Sequence, residues 1–203
     1  MILCDIGNTY FHFNNDGAMF DETSCSLKNE KIYFISVNEK KTKQLLKRNP
    51  DSVDLGKLVK FNTNYQGLGI DRVMACKTID SGVVIDAGTA ITIDIMSGGI
   101  HLGGYILPGI SALQKCYGEI SENLNHNFTM KIEREILPYN TVEAISYGGI
   151  GMIISLIENI AKKEKIYFTG GDGIYLSKFF NNTIYIKDLI FRGMKETIKE
   201  NNL

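Results

Sequence analysis

No two cysteines in this chain are paired as C-x-x-C: Cys4, Cys25, Cys76 and Cys116 are scattered. That spacing argues against a zinc site or a redox dithiol and for reduced thiols in the cytoplasm. A basic excess is missing too, since 22 Lys and Arg stand against 23 Asp and Glu for a net charge of −1. The electrostatic footprint of a nucleic-acid or membrane-surface partner is therefore absent, and neither is expected. No apolar run approaches the roughly 20 residues that cross a bilayer. The N-terminus enters a strand that soon meets Asp5, with no basic stretch followed by a long apolar core, so no leader peptide is expected. His12, His101 and His126 lack metal-ligand spacing, and each reads as structural or surface. There is no G-x-x-x-x-G-K-[ST]. Neither "GGIHLGG" nor "YGGIGMII" makes a G-x-G-x-x-G after a strand, and no G-x-S-x-G occurs. These absences remove the P-loop, the dinucleotide fold and the nucleophile elbow.

What remains is an ordinary globular composition, 44% hydrophobic over 203 residues, which suffices for one large domain or two small ones. Short apolar strands come first, at Ile2–Asp5, Thr9–Asn14 and Lys31–Val37. Asn38 is placed to cap a charged helix through Arg48, whose lysines read as a solvated face. "NYQGLGIDRVMACKTI" is a glycine-containing loop running into a helix. Val83 restarts the strand–turn–strand pattern, which suggests lobes of residues 1–82 and 83–203. Helices are expected over Ile110–Leu124 and Thr141–Lys163. "KIYFTGGDG" then reads as a strand, a glycine turn and a short helix, followed by a strand at Thr183–Ile186 and a C-terminal helix. Strands ahead of helices, twice over, argue for two similar α/β lobes.

The repetition extends to chemistry. "ILCDIGNTYFHF" and "VVIDAGTAITID" both run an apolar strand into Asp-x-Gly, with Asp5 and Asp86 at the same point. Each places a carboxylate at a strand end, and the glycine lets the backbone turn and approach a ligand. The N–H groups of such a turn can cradle phosphate oxygens. A carboxylate beside phosphate is repulsive unless a cation lies between them, so two such turns suit a metal–nucleotide complex. The alternative is a pair of hairpin turns built from residues that turns favour.

The motifs "DIGNT" (5–9), "GIDR" (69–72), "DAGTAITID" (86–94), "GGYILPG" (103–109), "NTVEAISYGG" (140–149) and "TGGDG" (169–173) occur in an order and spacing that resembles type III pantothenate kinase, over nearly the whole chain. The resemblance implies an α/β fold of two actin-like, ribonuclease H-like lobes with an interlobe nucleotide cleft. It also implies transfer of the ATP γ-phosphoryl group to pantothenate, the first step of coenzyme A synthesis. By that resemblance Asp5, Ile6, Gly7, Asn8 and Thr9 form one phosphate loop, with Asp5 near the Mg²⁺ of ATP. Asp86 would hold K⁺ or NH₄⁺, Thr89 would contact ATP, and Gly170 and Gly171 would lie by the adenosine.

Asp71 carries the acid–base chemistry in this reading. Phosphoryl transfer needs an in-line acceptor hydroxyl and a group to take its proton, and the rest is positioning and charge stabilisation. The resemblance gives Asp71 that role and gives the acceptor Tyr65, Gly69, Ile70, Arg72 and Thr141. Arg72 suits either the pantothenate carboxylate or the moving phosphoryl group. From residues alone, "DR" reads first as a helix-start aspartate with a surface ion pair. Thr141 opens a segment apolar on almost every face, which needs burial all round. Its partner is either a neighbouring helix or a second subunit, and the resemblance, to a family of homodimers, favours the second. Two departures from the family pattern stand out: His12 occupies the place of a basic residue after the first turn, and only "QGL" separates Tyr65 from "GIDR". A different small-molecule kinase of the superfamily and a non-catalytic regulator are the alternatives.

Overall fold

The computed structural model describes residues 1–133 and 135–203. Three consecutive strands open the chain, β1 (Ile2–Ile6), β2 (Phe11–Asn15) and β3 (Ala18–Glu22). They are followed by β4 (Ile32–Ser36), helix α1 (Glu39–Arg48), the two-residue β5 (Val53–Asp54) and the short helix α2 (Ile70–Cys76). The strands lie in the order β3-β2-β1-β4-β5, with β1 antiparallel to β2 and parallel to β4. A central strand is buried on both faces, and β1 shows how its pleat divides the two. Leu3 joins Tyr33, Ile35, Leu55 and Met74 on one side, while Cys4 and Ile6 join Phe11, Phe13, Phe34 and Leu45 on the other. Helix α1 begins as expected, with the Asn38 side chain accepting from the Lys41 N–H at 3.1 Å.

The second sheet repeats the pattern. It comprises β6 (Gly82–Ala87), β7 (Ala90–Ser97), β8 (Ile100–Pro108), β9 (Ile166–Thr169) and β10 (Thr183–Tyr185), in the order β8-β7-β6-β9-β10. Numbered within its own sheet, each therefore runs third, second, first, fourth, fifth. Helices α3 (Ile110–Ile120), α4 (Thr141–Ala161), α5 (Gly173–Ser177) and α6 (Leu189–Glu200) complete the chain. Val83, Ile85, Ile91 and Ile93 of the sheet share a core with Ile150, Ile153, Ile154 and Ile157 of α4.

Two expectations need correction. The helix predicted over Ile110–Leu124 stops at Ile120, because Ser121 is extended (φ −162°, ψ 143°) and its side chain caps a separate 3₁₀ turn, Glu122–Leu124. And α4 is, by length and composition, apolar enough to cross a bilayer, which the sequence reading had denied of any segment. Its glycines and serines dilute the apolar run, yet Ile145, Ile150, Ile153, Ile154 and Ile157 are all consumed by the core.

The compact units are discontinuous, whereas the sequence suggested contiguous lobes. One comprises Met1–Asp80, Met96–Leu102 and Asp188–Leu203, and the other Ser81–Ile95 and Gly103–Lys187. Helix α6 joins the first because it packs on α2 almost backbone to backbone. A Cβ on Gly193 would overlap the Met74 carbonyl oxygen. Thr197 Oγ1 donates to the Gly193 carbonyl at 2.9 Å and lies 3.6 Å from Met74 Sδ. Lys77 Nζ meets Glu200 Oε1 at 2.8 Å at the end of the same contact. Asp71 and Arg72 thus stand on a helix whose back rests on α6.

Candidate active site

Where β1 ends, the Gly7 N–H turns back to the Tyr10 carbonyl at 3.0 Å and leaves Asn8 and Thr9 exposed at the tip. Asp5 is only 8% exposed, opposite His12 on β2 and Ile35 on β4, with Ile6 buried after it. Two basic side chains lie at this turn. His12 Nδ1 is 2.7 Å from Asp21 Oδ1, and its Nε2 would lie 3.7 Å from a Cβ on Gly7. Lys41, from α1, donates from Nζ to the Thr9 carbonyl at 2.6 Å and lies 4.9 Å above the Phe11 ring. Desolvation holds the Lys41 ammonium below its ordinary pKa. The sequence reading left Lys41 among solvated lysines; only its register on α1, one turn after the Asn38 cap, sets it apart from them.

The second turn is built the same way. The Gly88 N–H bonds the Ala90 carbonyl at 3.0 Å, and the Thr89 carbonyl accepts from the Gly109 N–H at 3.0 Å. A Cβ on Gly109 would overlap the Gly88 carbonyl oxygen, so the last glycine of "GGYILPG" seats this loop. Gly170 has φ +81°, and a Cβ there would stand 2.5 Å from both the Ala87 carbonyl oxygen and Asp86 Oδ1. The Asp172 N–H bonds the Ala87 carbonyl at 2.9 Å. Tyr185 donates its hydroxyl to the Gly170 carbonyl at 3.2 Å, and burial together with the Asp86 charge raises its pKa, which keeps it a donor. The structure therefore brings Asp86, Thr89 and Gly170 into one loop cluster. Gly171 is exposed beside it, and Thr141 is the exposed first residue of α4. Asn140 caps that helix by accepting from the Glu143 N–H at 3.0 Å, and Glu143 Oε2 accepts from the Tyr139 N–H at 2.9 Å.

A third group forms around α2. Gly69, the N-cap residue, has no side chain to cap the helix, and Asp71 supplies one instead, accepting from the Arg72 N–H at 2.8 Å. Any Cβ at Gly69 would fall 2.5 Å from Asp71 Oδ1. Ile70 turns inward against the Leu55 and Met74 cluster. Arg72 is 4% exposed, and its guanidinium lies 5.0 Å from the centroid of the half-open Tyr65 ring. Tyr65 also meets His101 edge-on at 6.0 Å. Tyr65, Gly69, Ile70, Asp71 and Arg72 are thus together, with His101 an unforeseen neighbour.

A nucleotide and a divalent cation can be tested against these residues. Among the described residues no three His, Cys, Asp or Glu side chains converge as a metal cluster. An ion of the magnesium type takes one or two carboxylates from the protein and the rest of its ligands from phosphates and water. Asp5, at the glycine turn that ends β1, is a carboxylate that could enter such a set.

Residues 20–163 match the family model of type III pantothenate kinase. The chain is 44% identical to a type III pantothenate kinase of Helicobacter hepaticus over 98% of this chain and 99% of that one. The chain belongs to the type III pantothenate kinase family. A Campylobacter jejuni relative with the same description is 49% identical across 99% of this chain and 98% of its own. Among solved structures, one from Campylobacter jejuni, provisionally described as a Baf family transcriptional activator, covers both chains completely at 47% identity with a TM-score of 0.91. A provisionally described 2-dehydro-3-deoxygalactonokinase from Sinorhizobium meliloti, 9% identical with a TM-score of 0.56 over 98% of each chain, shares the fold alone. That fold, two α/β units with repeated strand order, is an actin-like architecture.

Proposed function

We propose that the chain phosphorylates the primary hydroxyl of pantothenate with ATP, giving 4'-phosphopantothenate and ADP, the first step of coenzyme A synthesis. The observation that carries this reading is the Asp71–Arg72–Tyr65 group at the start of α2, in a chain whose family is established by residues 20–163. Asp71 accepts the proton of the acceptor hydroxyl while the new O–P bond forms to the γ-phosphorus and the β–γ bridging bond breaks. Its carboxylate is oriented for this by the Arg72 N–H. Arg72, buried beneath Tyr65, presents a fixed guanidinium to an anionic partner, and Tyr65 and Thr141 shape the acceptor site. Gly7, Asn8 and Thr9 bind phosphate oxygens of ATP, Thr89 contacts the nucleotide, and Gly170 and Gly171 admit the adenosine. The divalent ion of ATP, held at Asp5, supplies neutralisation of the developing phosphate charge. Asp86, whose Oδ1 lies with the Ala87 carbonyl oxygen against Gly170, suits K⁺ or NH₄⁺.

The same reading makes the protein a cytoplasmic homodimer. Support comes from apolar side chains left exposed around α3 and α4, including Ile106, Ile120, Tyr139 and Met152. The regulator suggested by the description of the Campylobacter jejuni structure would have no use for an oriented Asp71. The deciding experiment is ADP release by the purified protein with ATP, Mg²⁺ and pantothenate in potassium, ammonium or sodium buffer, beside Asp71→Asn. Pantothenate-dependent turnover that needs potassium or ammonium and falls at least about a hundredfold in the variant is expected. A folded protein that turns over pantothenate in no buffer sinks the reading.

A further inference from the structure

The loop that carries Tyr65 has no secondary structure of its own beyond a single bridge, Thr63 to His101. His101 is 1% exposed, at the far end of the β7–β8 hairpin. Several of its contacts go to this loop. Its backbone N–H donates to the Asn62 carbonyl at 3.0 Å, and its Nδ1 lies 2.7 Å from Thr63 Oγ1. The Thr63 hydroxyl also accepts the Tyr65 N–H at 3.0 Å. The imidazole ring stands 6.0 Å from the Phe61 ring on one side and 6.0 Å, edge-on, from Tyr65 on the other. Tyr65 in turn covers Arg72. His101 thus ties residue 62 through its backbone N–H, and its buried imidazole ties residues 61, 63 and 65 by one hydrogen bond and two ring contacts.

We propose that His101 is a positioning residue for the acceptor, holding the loop so that Tyr65 stays over the Arg72 guanidinium. This rests on the reading that Tyr65 and Arg72 face pantothenate. An unbraced loop would have to be ordered at each binding event, and that entropy would appear as weaker acceptor binding. Nucleotide binding would be untouched. His101 does not contact the reacting atoms in this assignment; it acts through Thr63 and Tyr65.

The test uses His101→Phe, which keeps a ring without Nδ1, His101→Asn, which keeps a hydrogen-bonding atom near the Nδ1 position, and Thr63→Val, which removes the bridging hydroxyl. Steady-state constants for pantothenate and ATP are measured for each, with amide hydrogen exchange over residues 61–67. His101→Phe and Thr63→Val are each expected to raise the pantothenate KM about tenfold, the scale of one lost buried hydrogen bond. The ATP KM should stay within about twofold, exchange in the loop should quicken, and the double variant should be no worse than either single one. His101→Asn should recover most of the loss. A pantothenate KM unmoved in either folded variant, or KM values for both substrates rising together, overturns the role. If the wild-type protein turns over no pantothenate, the acceptor reading falls and this role with it, whatever the exchange shows. Should His101→Phe fail to fold, Thr63→Val, on a surface loop, carries the test alone.

Discussion

Gly69 and Asp71 compete for the same space: a Cβ on the first would stand 2.5 Å from Oδ1 of the second. An alanine at position 69 must push the carboxylate away from the Arg72 N–H that now orients it at 2.8 Å. Gly69→Ala is therefore expected to lower kcat by about ten- to a hundredfold, part of the full contribution of a general base. ATP affinity should hold. Steady-state kinetics with calorimetric titration of nucleotide checks this, and a kcat within about twofold of wild type would show that Asp71 needs no such orientation.

Lys41 is the cation that the local sequence around the first turn does not supply. Its Nζ already bonds the Thr9 carbonyl at 2.6 Å, so it stands at the loop with donors to spare. Lys41→Met, which keeps the stem over Phe11, is expected to raise the ATP KM about fivefold or more, as loss of a charge-assisted contact would. The pantothenate KM should not move. Unchanged ATP binding would leave Lys41 as a brace for Thr9 only.

Gly170 should tolerate no side chain. Its φ of +81° alone costs an L-residue about 1–2 kcal/mol, and overlap with Ala87 and Asp86 adds to that. Gly170→Ala is expected to lower the melting temperature by about 4 °C or more. Activation by potassium should be lost with it, because Asp86 is the side chain displaced. Gly171→Ala, with nothing within 4 Å of its Cβ, is the control for stability.

Tyr175 has a buried hydroxyl that finds no hydrogen-bond partner among the described residues. Burial, and secondarily the Asp172 charge, pushes its pKa up to about 12. Because the folded pKa lies above the unfolded one, the unfolded chain loses this proton first as pH rises. Stability should therefore be untouched below about pH 10 and fall between about pH 10 and 12. Tyr175→Phe is expected to be neutral or more stable by roughly 1 kcal/mol at neutral pH, since it removes an unsatisfied polar group, and to lose less stability through the alkaline range. Thermal unfolding across that range reads both effects; a steeper alkaline loss in the variant would contradict them.

Legibility in the sequence followed the range of the forces involved. The strands around both Asp-x-Gly turns, the Asn38 cap and the glycine-led start of α2 are set by neighbours within a few residues, and they read correctly. Strand β3 was missed because Ala18–Glu22 is an edge strand of mostly exposed residues, without the alternation that marks a buried face. The placement of α6 was hidden because its apolar stripe of Leu189, Phe191, Met194 and Ile198 names no partner, and the close approach to α2 at Gly193 is to backbone. His101 looked structural, and it is, but its partner Thr63 lies 38 residues earlier. Lys41 was masked by its own neighbours on a lysine-rich helix.

The Gly193–Met74 contact also sets an order of assembly on the ribosome. The second unit ends at Lys187, so all of its strands and helices are synthesised before α6 emerges. A chain truncated after Lys187 would keep every strand of the second sheet, while α2 would lack the helix that supports it. The part of the molecule that carries Asp71 and Arg72 begins first and is finished last. Chaperones and proteases that survey the emerging chain would meet an exposed Met74 and Leu3 surface until the final turns are made.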